Sequence, residues 1–176
     1  MADIKGTALL TGAAGGMGGA IARALIEAGH RVVLVDRDEA RLAELAKTLG
    51  PNATAITLDI SDGKRVAQLP DLVPAAFRPV DILINNAGHD IGGRKRLDEG
   101  SADDWAAIIE TNLTGTIRVT RAMLPDMVRR NTGDIVMMSS INALRIVADM
   151  APYSASKAGI HMMTETIRAE LAETGI

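Results

Sequence analysis

The 176-residue sequence contains no cysteine. Disulfide bonds, thiolate catalysis and cysteine-based metal sites are therefore excluded. Its three histidines, His30, His89 and His161, are scattered without the spacing of metal ligands, so no metal site is expected. Phenylalanine, tryptophan and tyrosine occur once each. The core must therefore be built from aliphatic side chains and from the nine methionines.

The sequence also lacks long apolar runs and a strong charge of either sign. No run approaches the roughly 20 apolar residues of a membrane span, and the N-terminus lacks the apolar region of a signal peptide. A formal net charge of -3 gives no reason to expect a nucleic acid partner. The one basic run, Arg94-Lys95-Arg96, is short and is followed by Asp98 and Glu99, which favours a solvated loop. We therefore expect one cytoplasmic domain over residues 1–176, with no membrane or nucleic acid partner.

The first 36 residues have the pattern of a strand, a turn, a helix and a second strand. Apolar residues over 7–10 and 31–35 predict the two strands, and an amphipathic stretch over 17–28 predicts the helix. Five glycines crowd the first turn: Gly12, Gly15, Gly16, Gly18 and Gly19. Glycine permits tight turns and close approach to a ligand, and the N–H groups at a helix start favour a pyrophosphate. A glycine-rich turn in this context predicts a dinucleotide site.

The second strand ends at Asp36, whose carboxylate can accept hydrogen bonds from a ribose 2′-hydroxyl. The same carboxylate would repel a 2′-phosphate, which favours NAD over NADP as the cofactor. Arg37 follows, and two interpretations stay open for it: contact with a phosphate, or an exposed polar side chain.

Further apolar runs predict strands over 54–58, 80–84 and 135–139, and the intervening segments predict helices over 39–49, 62–72, 103–130 and 158–172. Five strands alternating with helices imply a parallel sheet covered on both faces. The predicted fold class is therefore α/β, a Rossmann-like doubly wound sheet in a single domain. Ligands of such sheets bind at the carboxyl ends of the strands.

Several polar residues fall at those strand ends. Asp59 is expected either to accept a hydrogen bond from an adenine amino group or to cap the next helix. The run Asn85-Asn86-Ala87-Gly88 can form a wall of a cofactor site, and Ser140 follows the fifth strand. Asn112 lies in the middle of a predicted helix, where its side chain is unfavourable, so it is either an exposed residue or part of a site.

Tyr153, the one tyrosine, stands four residues before Lys157 on a predicted helix. Residues at this spacing share a face, which brings the phenol beside the ammonium. A nearby positive charge favours the phenolate form. A phenol in this setting can protonate a carbonyl oxygen or deprotonate an alcohol at neutral pH.

Taken in order, these motifs resemble the short-chain dehydrogenase/reductase family over the whole chain. Residues 11–18 match its T-G-x-x-x-G-x-G turn, residues 85–88 match its N-N-A-G motif, and Tyr153 and Lys157 match its Y-x-x-x-K. Ser140, thirteen residues before Tyr153, matches the catalytic serine, and Asn112 matches the helical asparagine of the family.

The resemblance implies hydride transfer between a nicotinamide cofactor and a carbonyl/alcohol pair. It implies that Tyr153 is the general acid/base, that Lys157 favours its phenolate and holds the nicotinamide ribose, that Ser140 binds the substrate oxygen, and that Asn112 anchors a water leading to Lys157. The expected cofactor-binding residues are Gly12, Ala14, Gly15, Gly16, Met17, Gly18, Asp36, Arg37, Asp59, Ile60, Asn86, Ala87, Gly88, Tyr153 and Lys157.

Residues 80–140 are similar to dehydrogenases of small 3-hydroxy acids, serine among them. A 3-oxoacyl compound is the other expected substrate class. The dehydrogenases of small 3-hydroxy acids usually take NADP, and Asp36 departs from that pattern. The resemblance also implies a homodimer or homotetramer formed through the helices over 103–130 and 153–173.

The sequence stops where the sixth and seventh strands of the family fold, and the segment that covers the substrate, are expected. An oxidoreductase is the main hypothesis. A dinucleotide-binding module without turnover, an inactive fragment and a purely structural interaction domain remain as alternatives.

Overall fold

The computed structural model describes residues 5–176, which form one five-stranded parallel sheet with the strand order β3-β2-β1-β4-β5. The strands are β1 Thr7–Thr11, β2 Arg31–Asp36, β3 Ala53–Thr57, β4 Ile82–Asn85 and β5 Asp134–Met137. Strand β1 lies at the centre of the sheet, with β2 and then β3 on one side and β4 and then β5 on the other. This arrangement confirms the predicted Rossmann-like fold and places a topological switch point between β1 and β4.

The helices that connect the strands lie on both faces of the sheet. They are α1 Gly16–Glu27, α2 Glu39–Leu49, α3 Gly63–Ala67, α4 Leu69–Leu72, α5 Ala102–Ile109, α6 Thr116–Arg130 and α7 Ala151–Glu170. Two short 3₁₀ turns, Ala75–Phe77 and Ile141–Ala143, precede β4 and follow β5.

Alternation along the strands divides the core into two layers. Leu9 is in register with Val33 and Leu83, and all three join a cluster that includes Val119 and Met123 of α6. Leu10 points to the other face and joins a second cluster, which lies against α1 and α2. Complete burial of each such side chain contributes about 1.5–3 kcal/mol. The β1 strand, buried along its whole length, is therefore the axis on which both layers are built.

The helix predicted over 103–130 is not one continuous α-helix. It begins as expected at Ser101, whose hydroxyl accepts a hydrogen bond from the N–H of Asp104 at 3.3 Å. Between α5 and α6, however, residues Glu110–Gly115 form a turn of π-helix. A π turn is closed by hydrogen bonds between residues five apart, one more than in an α-helix, and such turns are frequent at functional sites.

The helix predicted over 62–72 is also divided, into α3 and α4. Asp62 caps α3 by accepting hydrogen bonds from the N–H groups of Lys64 and Arg65 at 3.0 and 3.1 Å. The break falls at Gln68, and Pro70 occupies the first turn of α4. Proline is tolerated there because its missing N–H would have no helical partner.

The turn between β1 and α1 depends on close contacts that only glycine permits. Gly12 has a φ of +67°, and a Cβ on it would lie 2.7 Å from Cα of Ala87. A Cβ on Gly18 would lie 2.1 Å from the carbonyl oxygen of Gly12. Helix α1 therefore approaches the end of β1 more closely than any side chain allows.

The substitution Gly18→Ala is expected to destabilise the protein, because the new methyl group must displace the backbone at Gly12. Overpacking of this kind costs about 1–3 kcal/mol. Gly16→Ala is the matched control in the same turn, since a Cβ on Gly16 would meet no atom within 4 Å. Urea unfolding of both variants tests the contact, and equal stabilities for the two would contradict it.

Candidate active site

The carboxyl ends of the strands surround a cleft of about 820 Å³. Every residue predicted to bind the cofactor lines this cleft, and three of the four predicted catalytic residues line it as well: Ser140, Tyr153 and Lys157. The fourth, Asn112, is only 1% exposed and lies behind the cleft wall. The structure thus brings together in one place residues that are up to 145 positions apart, from Gly12 to Lys157.

The amino end of α1 opens into the cleft without a polar cap from the protein. Its N-cap residue is Gly15, which has no side chain to accept a hydrogen bond from the helix, and no acidic residue lies in the first turn. The first N–H groups of a helix have no intrahelical partner, and together with the helix dipole they favour an anion. This end of α1 therefore fits a pyrophosphate group.

Hydrogen bonds between Thr11 and Asn86 fix the cleft floor at the switch point. The Thr11 hydroxyl accepts the N–H groups of Asn86 and Ala87 at 3.0 and 3.1 Å. The Asn86 side-chain amide donates to the carbonyl oxygens of Thr11 and Gly12, both at 3.1 Å. The Asn85–Gly88 segment is consequently held against the glycine-rich turn.

Asp36 presents a fixed carboxylate at the end of β2. One of its oxygens accepts the N–H of Ala14 at 2.9 Å, and the other accepts the N–H of Asp38 at 3.0 Å. Arg37 forms an ion pair with Asp59 at 3.9 Å, but both side chains are substantially exposed, so this pair contributes little to stability. The two interpretations of Arg37 made from the sequence both fit an exposed side chain at the rim of the cleft.

Asp59 lines the cleft and does not cap α3. Its carboxylate accepts the N–H of Ser61 at 2.9 Å and the hydroxyl of the same residue at 2.7 Å. Partial burial opposes ionisation of Asp59, but these hydrogen bonds, with the nearby Arg37 and His89, hold its pKa below the usual value. The capping alternative was wrong because Asp62, three residues later, occupies the N-cap position.

Asn112 is hydrogen-bonded on both sides of its side-chain amide. Its oxygen accepts the N–H of His89 at 2.9 Å, and its nitrogen donates to the His89 carbonyl at 2.9 Å and to the Ser156 hydroxyl at 3.2 Å. The Ser156 hydroxyl in turn donates to the carbonyl oxygen of Tyr153 at 2.7 Å. Asn112 is therefore a buried linker between the β4 loop, the π turn and α7, and not an exposed residue.

Tyr153 and Lys157 lie one turn apart at the start of α7, as predicted. The Lys157 nitrogen is 5.8 Å from the centre of the Tyr153 ring and donates to the carbonyl oxygen of Met138 at 2.7 Å. Burial lowers the pKa of Lys157 from its ordinary value of 10.5. The Ser140 hydroxyl, at the end of β5, accepts the N–H of Asn142 at 3.2 Å and faces the same cleft.

Sequence reasoning missed three polar residues of this region, namely His89, Thr111 and Ser156. His89 Nε2 lies 3.2 Å from the Thr111 hydroxyl, and both residues line the cleft. Burial and the positive charge of Arg37 lower the pKa of His89, while Asp59 and Asp90 oppose that effect. His89 directly follows the Asn85–Gly88 motif and Ser156 lies inside the Tyr153–Lys157 motif, so proximity to the motifs could have indicated both.

Comparison with known proteins identifies the family of this chain. The model of a family described as short chain dehydrogenase matches residues 6–176. The chain belongs to the short-chain dehydrogenase family. The NADP-dependent 3-hydroxy acid dehydrogenase YdfG of Salmonella typhi is 36% identical over 168 residues, which are 96% of this chain and 67% of that protein.

Solved structures agree in fold with this chain. A serine dehydrogenase from Escherichia coli superposes with a TM-score of 0.92 at 35% identity, covering 96% of this chain and 77% of that one. A short-chain dehydrogenase/reductase from Burkholderia phymatum, solved in complex with NAD, gives a TM-score of 0.90 at 34% identity and covers 97% and 61%. The present chain thus spans between 61% and 77% of the length of these relatives. Within residues 5–176, no helix has both the length and the apolar character needed to cross a membrane.

Proposed function

We propose that this oxidoreductase transfers a hydride between a nicotinamide cofactor and a secondary alcohol or its carbonyl counterpart, with Tyr153 as the general acid/base. The observation that carries the proposal is the shared cleft. Tyr153, Lys157 and Ser140 face the same space as the glycine-rich turn and Asp36. The groups proposed to transfer the proton and the site proposed for the dinucleotide therefore both lie at the carboxyl ends of the strands.

The bound cofactor supplies the hydride acceptor or donor, and the chain supplies the proton chemistry. In the oxidative direction, the substrate carbon loses a hydride to the nicotinamide ring while Tyr153 accepts the hydroxyl proton. In the reductive direction, Tyr153 returns a proton to the carbonyl oxygen. The Lys157 nitrogen lies 5.8 Å from the centre of the Tyr153 ring, so a positive charge stands beside the group that exchanges the proton.

Ser140 and Lys157 can both donate hydrogen bonds to ligands. The Ser140 hydroxyl accepts the N–H of Asn142 at 3.2 Å and donates to the Asn142 side-chain oxygen at 3.5 Å, a long contact that a substrate oxygen can replace. An ammonium has three N–H donors, and Lys157 uses one of them on the Met138 carbonyl, which leaves two for ribose hydroxyls or for a water held near Asn112.

Two substrate classes follow from the similarities, a small 3-hydroxy acid and a 3-oxoacyl compound. The names of YdfG and of the E. coli serine dehydrogenase support the first. An actinorhodin polyketide ketoreductase, solved with NADPH and 39% identical to this chain, supports the second.

NAD is the proposed cofactor, in preference to NADP. The Asp36 carboxylate is held in place by two backbone N–H groups and faces the cleft at the end of β2, where a ribose is expected. A fixed negative charge attracts a 2′-hydroxyl donor and repels a 2′-phosphate. The similar proteins include both NADP-dependent and NAD-bound examples, so the residue at this position is the specific argument.

Tyr153→Phe is expected to leave cofactor binding intact and to lower turnover about 10²–10⁴-fold, because the ring remains while the proton donor is lost. The measurements are cofactor titration by Trp105 fluorescence and steady-state rates on secondary alcohols. Thr166→Ala removes an exposed hydroxyl farther along α7 and provides the control. Unchanged turnover in Tyr153→Phe would refute the role of Tyr153. Cofactor binding without turnover in the unmodified chain would instead favour a binding module.

Asp36→Asn is expected to shift the ratio of the two dissociation constants toward NADP by about tenfold or more, which corresponds to about 1.4 kcal/mol. The amide keeps the shape of the side chain and removes the negative charge. Glu39→Gln, the same charge change outside the cleft at the start of α2, is the control. The preference for NAD is wrong if the unmodified chain binds NADP more tightly than NAD.

A homodimer or homotetramer through α6 and α7 is proposed as the assembled state. Apolar side chains are exposed on both helices, with Ile117 and Val128 at 45% and 46% and Met162 at 65%. The molar mass from sedimentation velocity tests this proposal. A mass equal to that of the single chain over a range of concentrations would exclude assembly.

A further inference from the structure

The loop over residues 91–100, between β4 and α5, is exposed but anchored at two points. The N–H of Lys95 donates to the carbonyl oxygen of Asp149 at 2.9 Å. At the far end, Gly100 packs so closely against Trp105 that an added Cβ would lie 2.0 Å from Cζ2 of the indole. These contacts fix the course of the loop on both sides of Lys95.

The first anchor places Arg94 at the tyrosine end of the cleft. Asp149 immediately precedes Met150, whose sulfur accepts a hydrogen bond from the Asn142 side chain at 3.4 Å. Met150 and Asn142 line the cleft together with Tyr153, and Arg94 lines it too. Arg94, the residue before Lys95, is thus held beside the wall that carries the proposed proton donor.

Within residues 5–176, no acidic side chain pairs with Arg94 at ion-pair distance. Arg96, two residues later, pairs with Asp98 at 3.0 Å and with Glu99 at 4.0 Å. Arg94 appears in none of the ion pairs found within 4.0 Å over residues 5–176. Asp90 borders the same cleft, but it too takes part in none of these pairs. Of the three basic residues in this run, only Arg94 lines the cleft.

The other cations of the cleft have their own contacts. Lys157 donates to the Met138 carbonyl. Arg37 is paired with Asp59 near the end of β3, and Arg41 is paired with Asp38. A guanidinium binds a carboxylate through two parallel hydrogen bonds, which gives both affinity and orientation. Arg94 therefore offers an anion site that is separate from the glycine-rich turn at which a pyrophosphate fits.

We propose that Arg94 binds a carboxylate of the substrate and so makes the site selective for free hydroxy acids and oxo acids over neutral esters and thioesters. The inference rests on the proposed dehydrogenase function and decides between its two substrate classes in favour of the acid. With the carboxylate held by Arg94, the alcohol carbon is placed near Ser140 and Tyr153, which line the same cleft.

The test uses 3-hydroxybutyrate and its methyl ester, which share a carbon skeleton and differ in charge, with saturating NAD. Arg94→Gln is expected to lower kcat/KM for the acid by about 30- to 100-fold, mainly through KM, because a charge-assisted bidentate contact is lost. The value for the ester is expected to change less than about threefold, and Arg94→Lys is expected to restore part of the loss. Arg96→Gln removes a paired charge from the same loop and is expected to change neither value.

Three outcomes would overturn the inference. Arg94→Gln could leave kcat/KM for the acid unchanged, or lower it equally for the acid and the ester. It could also weaken NAD binding by the same factor, which would assign Arg94 to the cofactor. Direct titration with NAD separates this last outcome from the expected one.

A binding experiment separates failure of this inference from failure of the proposed function. If the unmodified chain oxidises neither compound, the dehydrogenase proposal is the one that fails for these substrates. Binding of 3-hydroxybutyrate is then followed by fluorescence of Trp105, which touches the loop at Gly100. Binding that is lost in Arg94→Gln and kept in Arg96→Gln supports the anion site, whereas absent or unaltered binding overturns it.

Discussion

The hydrogen bonds of one buried amide connect the parts of this protein on which the site depends. Asn112 joins the backbone of His89, at the carboxyl end of the sheet, to Ser156 at the start of α7. Because a buried amide without partners costs free energy, these three segments are stable only in one relative position. These contacts, together with the hydrogen bond from Lys157 to the Met138 carbonyl, hold Tyr153 and Lys157 against the strand ends.

Two glycines allow the same region to pack tightly around the π turn. A Cβ on Gly115 would lie 2.8 Å from the Ile60 side chain, and a Cβ on Gly159 would lie 2.9 Å from Leu113. The π turn is therefore in close contact with the loop after β3 on one side and with α7 on the other. The loop after β3, which carries Asp59, and the helix that carries the proposed proton donor are linked through a segment of six residues.

Much of the fold could be predicted because its determinants are local. Buried parallel strands are short apolar runs, and the helix start at Ser101 follows from capping chemistry within four residues. Strand ends of a parallel sheet converge, so the polar residues that follow each run could be assigned to one cleft before any coordinates were known.

The parts that could not be predicted depend on contacts between distant segments. The π turn forms where Asn112 contacts His89, 23 residues away in the loop after β4. The helical periodicity of the sequence does not indicate that contact. Asp59 and Asp62 are both suitable caps, and only the backbone path after β3 selects the second. The run Arg94–Arg96 was interpreted as a solvated loop. The sequence does not show that Arg96 is paired with Asp98 while Arg94 has no ion pair within residues 5–176, nor that Lys95 is anchored at Asp149.

The π turn also sets the directions in which Asn112 and the core residues of α6 point around the helix axis. Each residue advances an α-helix by about 100°, since a turn contains 3.6 residues. Asn112 must face α7 while Val119, Met123 and Met127 of α6 face the sheet core. Removing one residue from 110–115 would convert the π turn into regular α-helix and change the direction in which Asn112 points relative to α6. In this segment the number of residues is therefore constrained as well as the residue types at Asn112 and Gly115.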